Sequence, residues 1–131
     1  MINYGANLVI GHGAHGIQEI ENYKGRWILY SIGNFVFLSE GRYEESGYPP
    51  YSCAAQLLLA DNGGKLRKWL RLYPIHSDNM KTDFQPRPLT DDESGDFINR
   101  MLNKSPLLPR EARAITKGED ECGIYLQFRI D

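Results

Sequence analysis

Two β-rich runs, Ser52 to Ala60 and Leu66 to Ile75, flank the tetrapeptide Asp-Asn-Gly-Gly at residues 61–64, and no other stretch restricts the fold as strongly. Consecutive glycines beside Asn accept the positive φ values of a tight turn, so the two runs are expected to return on each other as an antiparallel hairpin. In the second arm Leu66 and Leu70 stand among Arg67, Lys68 and Arg71. Pro74, which has no N–H to give to a ladder, predicts an edge position or a strand end there.

The remaining patterning is of the same kind. Ile17 to Glu21 and Arg26 to Ile32 read as two strands joined through Asn22, Tyr23, Lys24 and Gly25, whose Asn and Gly supply turn chemistry. At the other end Ile124, Leu126, Phe128 and Ile130 alternate with Tyr125, Gln127, Arg129 and Asp131, the period of a half-buried strand. One helix stands out. Thr90 and Glu93 form a capping-box pair ahead of Phe97, Ile98, Met101 and Leu102, which share one face, and Ser105 and Pro106 stop the helix near Lys104. Residues 39–52 have the glycine, proline and glutamate content of a mobile surface loop, and residues 74–90 read as an extended connector. Leu107 to Glu121 is ambiguous, with a weakly helical Arg110 to Thr116, while Gly5 after "MINY" looks like the glycine closing the last turn of a helix. The expected class is therefore α+β, mostly β hairpins with one clear helix, in a single domain over residues 1–131.

Composition narrows the functional classes. A chain of 131 residues with 41% hydrophobic content can build a core. The formal net charge of -2, with Lys and Arg scattered, leaves no electrostatic footprint for nucleic acid or an anionic membrane. Nucleic acid is not an expected partner. No apolar run reaches the roughly 18 residues of a membrane span. Cys53 and Cys122 stand far apart outside any CxxC pattern, which excludes a cysteine-based zinc site; the default expectation is two buried thiols, with a disulfide as the alternative.

Candidate chemistry concentrates in one loop. Leu8, Val9 and Ile10 read as a short buried strand, and His12 and His15 follow it among Gly11, Gly13, Ala14 and Gly16. Two imidazoles at i, i+3 on a glycine-rich loop at a strand end can offer neutral nitrogens to one cation or to two adjacent ones. The third histidine, His76, lies on the polar connector, where a solvated or capping role is expected. Glu19, Glu21 and the acidic clusters at 44–45, 91–93 and 119–121 read as solvated faces, and no general acid or base is assigned to any of them. Asn34, after Gly33, is read as a turn residue.

The stretch from Gly5 to Phe37, "GANLVIGHGAHGIQEIENYKGRWILYSIGNFVF", resembles the histidine motif of the bacterial capsule-synthesis CapA family, associated with poly-gamma-glutamate. There a GADLVIGHHPHV-like segment precedes a YKGKPIxYSLGNFVF-like hairpin; "LRLYPIHSDNMKTDFQPRPLT" is similar to the family's later connector. His12 and His15 match the outer histidines of the motif, whereas Gly13 replaces a usual histidine and Ala14 a usual proline. Asn34 matches a family position as well, which implies an amide that orients the loop or a substrate, as the alternative to a plain turn residue. The resemblance implies part of a four-layer αββα sandwich of the calcineurin-like metallophosphoesterase type, with this chain as the C-terminal portion of a larger domain. It implies divalent metal ions (Mn, Zn or Fe) in the intact protein, with His12 and His15 as ligands and the other ligands supplied by earlier segments. The expected setting is the bacterial cell envelope or its extracytoplasmic face. The expected partner is the missing N-terminal half or a second copy of the chain. The competing reading is a non-catalytic structural or interaction module with a remnant histidine loop.

Overall fold

Turn chemistry sets the first two hairpins of the computed structural model, which describes residues 1–38, 40–105 and 115–130. After β1 (Leu8–Ile10), β2 (Ile20–Tyr23) and β3 (Arg26–Leu29) pair antiparallel across Lys24 and Gly25, with φ of 53° and 72°. Asn22 Oδ1 accepts from Gly25 N at 3.1 Å and closes the turn. A short helix α1 (Arg42–Ser46) leads to β4 (Tyr51–Asn62), and β4 pairs with β5 (Lys65–His76) along its whole length. Here Gly63 and Gly64, at φ 63° and 85°, make the turn, and Asp61 Oδ1 accepts from Gly64 N at 2.8 Å. Two successive positive φ values match the right-handed twist of the arms, which is why both loops need only two residues.

Then follow α2 (Asn79–Thr82), β6 (Arg87–Pro88), α3 (Asp91–Lys104), β7 (Thr116–Asp120) and β8 (Gly123–Arg129). β1 lies parallel to β3, giving a three-stranded sheet in the order β1-β3-β2; the second sheet has the order β4-β5-β8-β7, with β6 on β5. This is an α+β fold of mostly strands in two sheets, consistent with a sandwich. Pro74 lies two residues before the end of β5, near the expected strand end, but it is buried rather than at an edge. The ladder to β8 ends at Leu72 and the ladder to β6 begins at Ile75, so the missing N–H falls in the gap between two partners.

Both sheets and α3 share one core. Trp27 of β3 meets Phe128 of β8 with ring centroids 5.3 Å apart, and Cys53 N donates to Ile32 O at 2.9 Å, which ties β4 to the end of the first sheet. The capping box of Thr90 and Glu93 is formed, and α3 runs to Lys104 as its sequence signals require. Its inward face is narrower than the periodicity implies: Phe97 and Met101 are buried and Ile98 partly so, but Leu102 is 36% exposed. Burying a side chain such as Phe97 contributes about 1.5–3 kcal/mol, so each of these two residues stabilises the docking of α3.

Several loop readings are corrected by packing. The stretch 39–52 holds α1, with Tyr43 buried, and the connector 74–90 holds α2 and β6, with Ser77, Asp78 and Asn79 buried. Asn79 Nδ2 donates to Phe35 O and Phe37 O at 3.2 and 2.6 Å, which pins the connector to the segment after β3. Gly5, at φ 100°, closes a single 3₁₀ turn over Ile2–Tyr4. Both cysteines are free thiols, but only Cys53 is buried; Cys122 is exposed in the turn between β7 and β8. Within the ambiguous span Leu107 to Glu121, residues 116–120 form β7, and the weakly helical Arg110 to Thr116 falls mostly outside the described residues.

Candidate metal-ligand loop and its buried support

The histidine loop leaves β1 against the end of β3. Gly11 N donates to Leu29 O at 2.7 Å and Ile32 N donates to Gly11 O at 3.1 Å. A Cβ at position 11 would overlap the Tyr30 carbonyl, so the approach requires glycine. The chain turns at Gly13, with φ 104°, and again at His15, with φ 61°. A left-handed conformation at a residue with a side chain costs roughly 1–2 kcal/mol, so other contacts must hold His15 there.

Phe37 and Asn34 supply those contacts. The His15 ring lies 4.9 Å from the Phe37 ring, tilted by 40°, and Arg42 stands over Phe37 at 5.3 Å. His15 Nδ1 is 3.0 Å from Asn34 Oδ1, and Asn34 Nδ2 donates to His15 O at 3.3 Å, so the Asn34 carboxamide grips both ring and backbone. Asn34 is itself buried. Its backbone N donates to Ser52 Oγ at 2.9 Å, and its Nδ2 donates to Tyr43 Oη at 3.1 Å. Gly33, at φ 79°, fits this corner because a Cβ there would overlap Ser52 Oγ.

The direction of these bonds sets the tautomer of a neutral His15. A backbone carbonyl can only accept, so the Asn34 atom facing His15 O is the amide nitrogen and the atom facing the ring is the oxygen. His15 Nδ1 then carries the proton, and Nε2 is left with its lone pair. A ring whose Nδ1–H is tied to a carboxamide and whose Nε2 lone pair is free suits a divalent cation of the Zn, Mn or Fe type. His12, three residues earlier and exposed, offers a second imidazole on the same loop. The two residues fit two positions of a ligand set. Among the described residues no group of three His, Cys, Asp or Glu side chains is placed to hold a metal.

The structure thus brings Asn34 to His15 and leaves His12 outside the hydrogen-bond network. His76 belongs to neither. Rather than being solvated on a connector it closes β5, is buried, and pairs in register with Tyr51 and Arg87. Burial, and then the Arg87 charge, push its pKa below the ordinary histidine value. Tyr43, Ser52 and Ser77 escape sequence reasoning because a tyrosine among glutamates and two serines carry no motif. Their only sequence signal is that each lies near a glycine or proline where the chain bends. On the other side of the loop, Gly16 and Ile17 form one wall of a cleft of about 190 Å³, with Tyr48, Tyr51, Arg100 and Lys104 among its other walls.

Comparison with known proteins agrees with the loop. Residues 1–39 match the family model described as bacterial capsule synthesis protein PGA_cap. The chain is 31% identical over 106 residues to the capsule biosynthesis protein CapA of Bacillus anthracis, covering 79% of this chain and 22% of that protein. It is 49% identical over 37 residues to the PGA biosynthesis protein CapA of Bacillus subtilis (strain 168), covering 28% of this chain and 10% of that protein. An uncharacterized protein, y4sH, of Sinorhizobium fredii shows the same 49% over 37 residues. The chain therefore spans about a fifth of the length of the first of these relatives and less of the others. With the matched segment carrying the glycine–histidine loop and the hairpin that supports it, the chain belongs, as a partial member, to the CapA family of bacterial capsule synthesis proteins.

Proposed function

We propose that this chain supplies the GHxxH metal-ligand loop of a metal-dependent phosphoesterase or related hydrolase of capsule or poly-gamma-glutamate metabolism. In this reading His12 and His15 each donate an imidazole nitrogen, and the remaining ligands come from a preceding part of the domain. The observation that carries it is the contact of His15 Nδ1 with Asn34 Oδ1 at 3.0 Å, which leaves Nε2 available as a donor. A divalent cation bound there supplies Lewis acidity toward a phosphoryl or related centre. The chain's own residues do the rest: Asn34 orients the ring, Gly11 and Gly13 allow the bends, and Phe37 shields one face of His15 from water. Lys104, lining the cleft behind Gly16 beside the Arg100–Asp96 ion pair, suits an anionic substrate. With two ligands alone the segment is inactive.

The test is the metal content of the full-length protein carrying these residues, measured by elemental analysis after dialysis. His12→Ala and His15→Ala should each lower bound metal and phosphoesterase turnover together, and His76→Ala should leave the metal content unchanged. Parental metal content in the double variant His12→Ala and His15→Ala would show that the histidines are not ligands. It would leave the second reading, an interaction module, which the exposed Leu57, Leu59 and Leu66 near the tip of the β4–β5 hairpin favour.

A further inference from the structure

Beneath Asn34 lies a chain of buried hydroxyls whose donors and acceptors all run one way. Ser77 Oγ donates to Pro50 O at 3.2 Å, and a carbonyl can only accept. Ser52 Oγ donates to Ser77 Oγ at 2.8 Å and accepts from Asn34 N at 2.9 Å. Tyr43 Oη reaches Ser77 Oγ at 2.9 Å and Ser77 O at 3.2 Å. With the Ser77 proton committed to Pro50, both of these are acceptors for the single Tyr43 proton. Tyr43 Oη therefore faces Asn34 Nδ2, 3.1 Å away, with a lone pair. Reversing the Asn34 carboxamide would place its oxygen against His15 O and replace its donation to Tyr43 with an oxygen–oxygen contact.

From this we infer that Tyr43, directed by Ser77, is a positioning residue: as the second acceptor beside His15 O it holds the orientation of the Asn34 amide and through it the Nδ1–H tautomer of His15, the form whose Nε2 can bind a cation. The inference rests on the ligand role proposed for His15, but the tautomer half of it does not depend on metal. Tyr43, Asn34, Ser52 and Ser77 are all buried, so water does not substitute freely for a lost partner. They come from four segments, namely the turn after β3, α1, the start of β4 and the end of β5, so the arrangement is tertiary and not a local turn motif.

The experiment uses the full-length protein in two states. In the metal-free protein, long-range ¹H–¹⁵N NMR of the neutral His15 ring reads the tautomer. The parent should show Nδ1–H as the dominant form, and Tyr43→Phe should shift the population toward a mixture with Nε2–H; Ser77→Ala, which keeps Ser77 O as an acceptor for the Tyr43 proton, should shift it in the same direction but less. In the metal-loaded protein, chelator competition should show a loss of Mn²⁺ or Zn²⁺ affinity of about tenfold to a hundredfold in Tyr43→Phe, the range expected for a lost outer-shell hydrogen bond. Tyr43→Phe keeps the ring and its packing. Ser77→Ala is the second variant should the first fold poorly, and circular dichroism shows which of them retains the native fold. A folded variant with parental tautomer population and parental metal affinity overturns the positioning role. If His15→Ala keeps full metal content while the tautomer still shifts in Tyr43→Phe, the ligand reading fails and the positioning of the ring stands.

Discussion

Replacing Gly33 by Ala should destabilise the protein far more than replacing Gly13 by Ala, although both glycines adopt positive φ, 79° and 104°. At Gly13 a Cβ meets nothing within 4 Å, so only the conformational penalty of roughly 1–2 kcal/mol applies. At Gly33 the same penalty is joined by overlap with Ser52: the new Cβ would contact Ser52 Oγ and lie 2.9 Å from Ser52 Cβ and 3.2 Å from its Cα. Rotating the Ser52 hydroxyl away does not relieve the contacts with Cβ and Cα. It also breaks the bonds from Asn34 N and to Ser77 Oγ. A buried group left unsatisfied costs about 1–3 kcal/mol, so the total for Gly33→Ala is about 2–5 kcal/mol. Urea unfolding at pH 7, with equal slopes for parent and variants, gives the difference between the two substitutions directly. Equal destabilisation by Gly13→Ala and Gly33→Ala would refute the view that Gly33 is required by its closeness to Ser52.

Other expectations follow from single groups. Glu93 is held at a pKa of about 2, first by its hydrogen bonds from Arg87 and then by the Thr90 backbone, against an ordinary value of 4.5. Its contribution is complete above pH 4.5 and is lost as pH falls toward 2. Because the Arg87 side chain is 44% exposed, screening reduces that contribution to about 1–2 kcal/mol, so Glu93→Gln should lower stability by that amount at pH 7 and by little at pH 2 in urea titrations. Burial pushes the Cys53 thiol up to about 12, whereas Cys122 is exposed; a disulfide-exchange reagent at pH 8 should modify one thiol quickly and the second only on unfolding. Fast modification of both would contradict the packing around Cys53. The β4 edge carries Leu57 and Leu59 exposed, so light scattering should report concentration-dependent self-association that Leu59→Glu weakens; a monomer at every concentration would exclude it.

Local chemistry alone settled the two hairpins and α3. Asn22 and Gly25, Asp61, Gly63 and Gly64, and the pair Thr90 and Glu93 act over three or four residues, and interactions that short are written in adjacent letters. The glycine–histidine loop was legible for the same reason, as was the family it belongs to. What the letters could not settle are contacts between segments distant along the chain. Tyr43 in an acidic stretch and Ser77 in a polar connector look like surface residues, yet they are buried, because α1 and the end of β5 close over Asn34. His76 looked solvated for the same reason and is covered by its neighbours in β4 and β6. Leu102 looked buried by its period, yet the core surface facing α3 is only wide enough for Phe97 and Met101. Hydrophobic period and turn signals report what one segment prefers. Whether a polar side chain is buried depends on which other segments arrive to satisfy its hydrogen bonds, and that is decided only when the two sheets and the helices pack together.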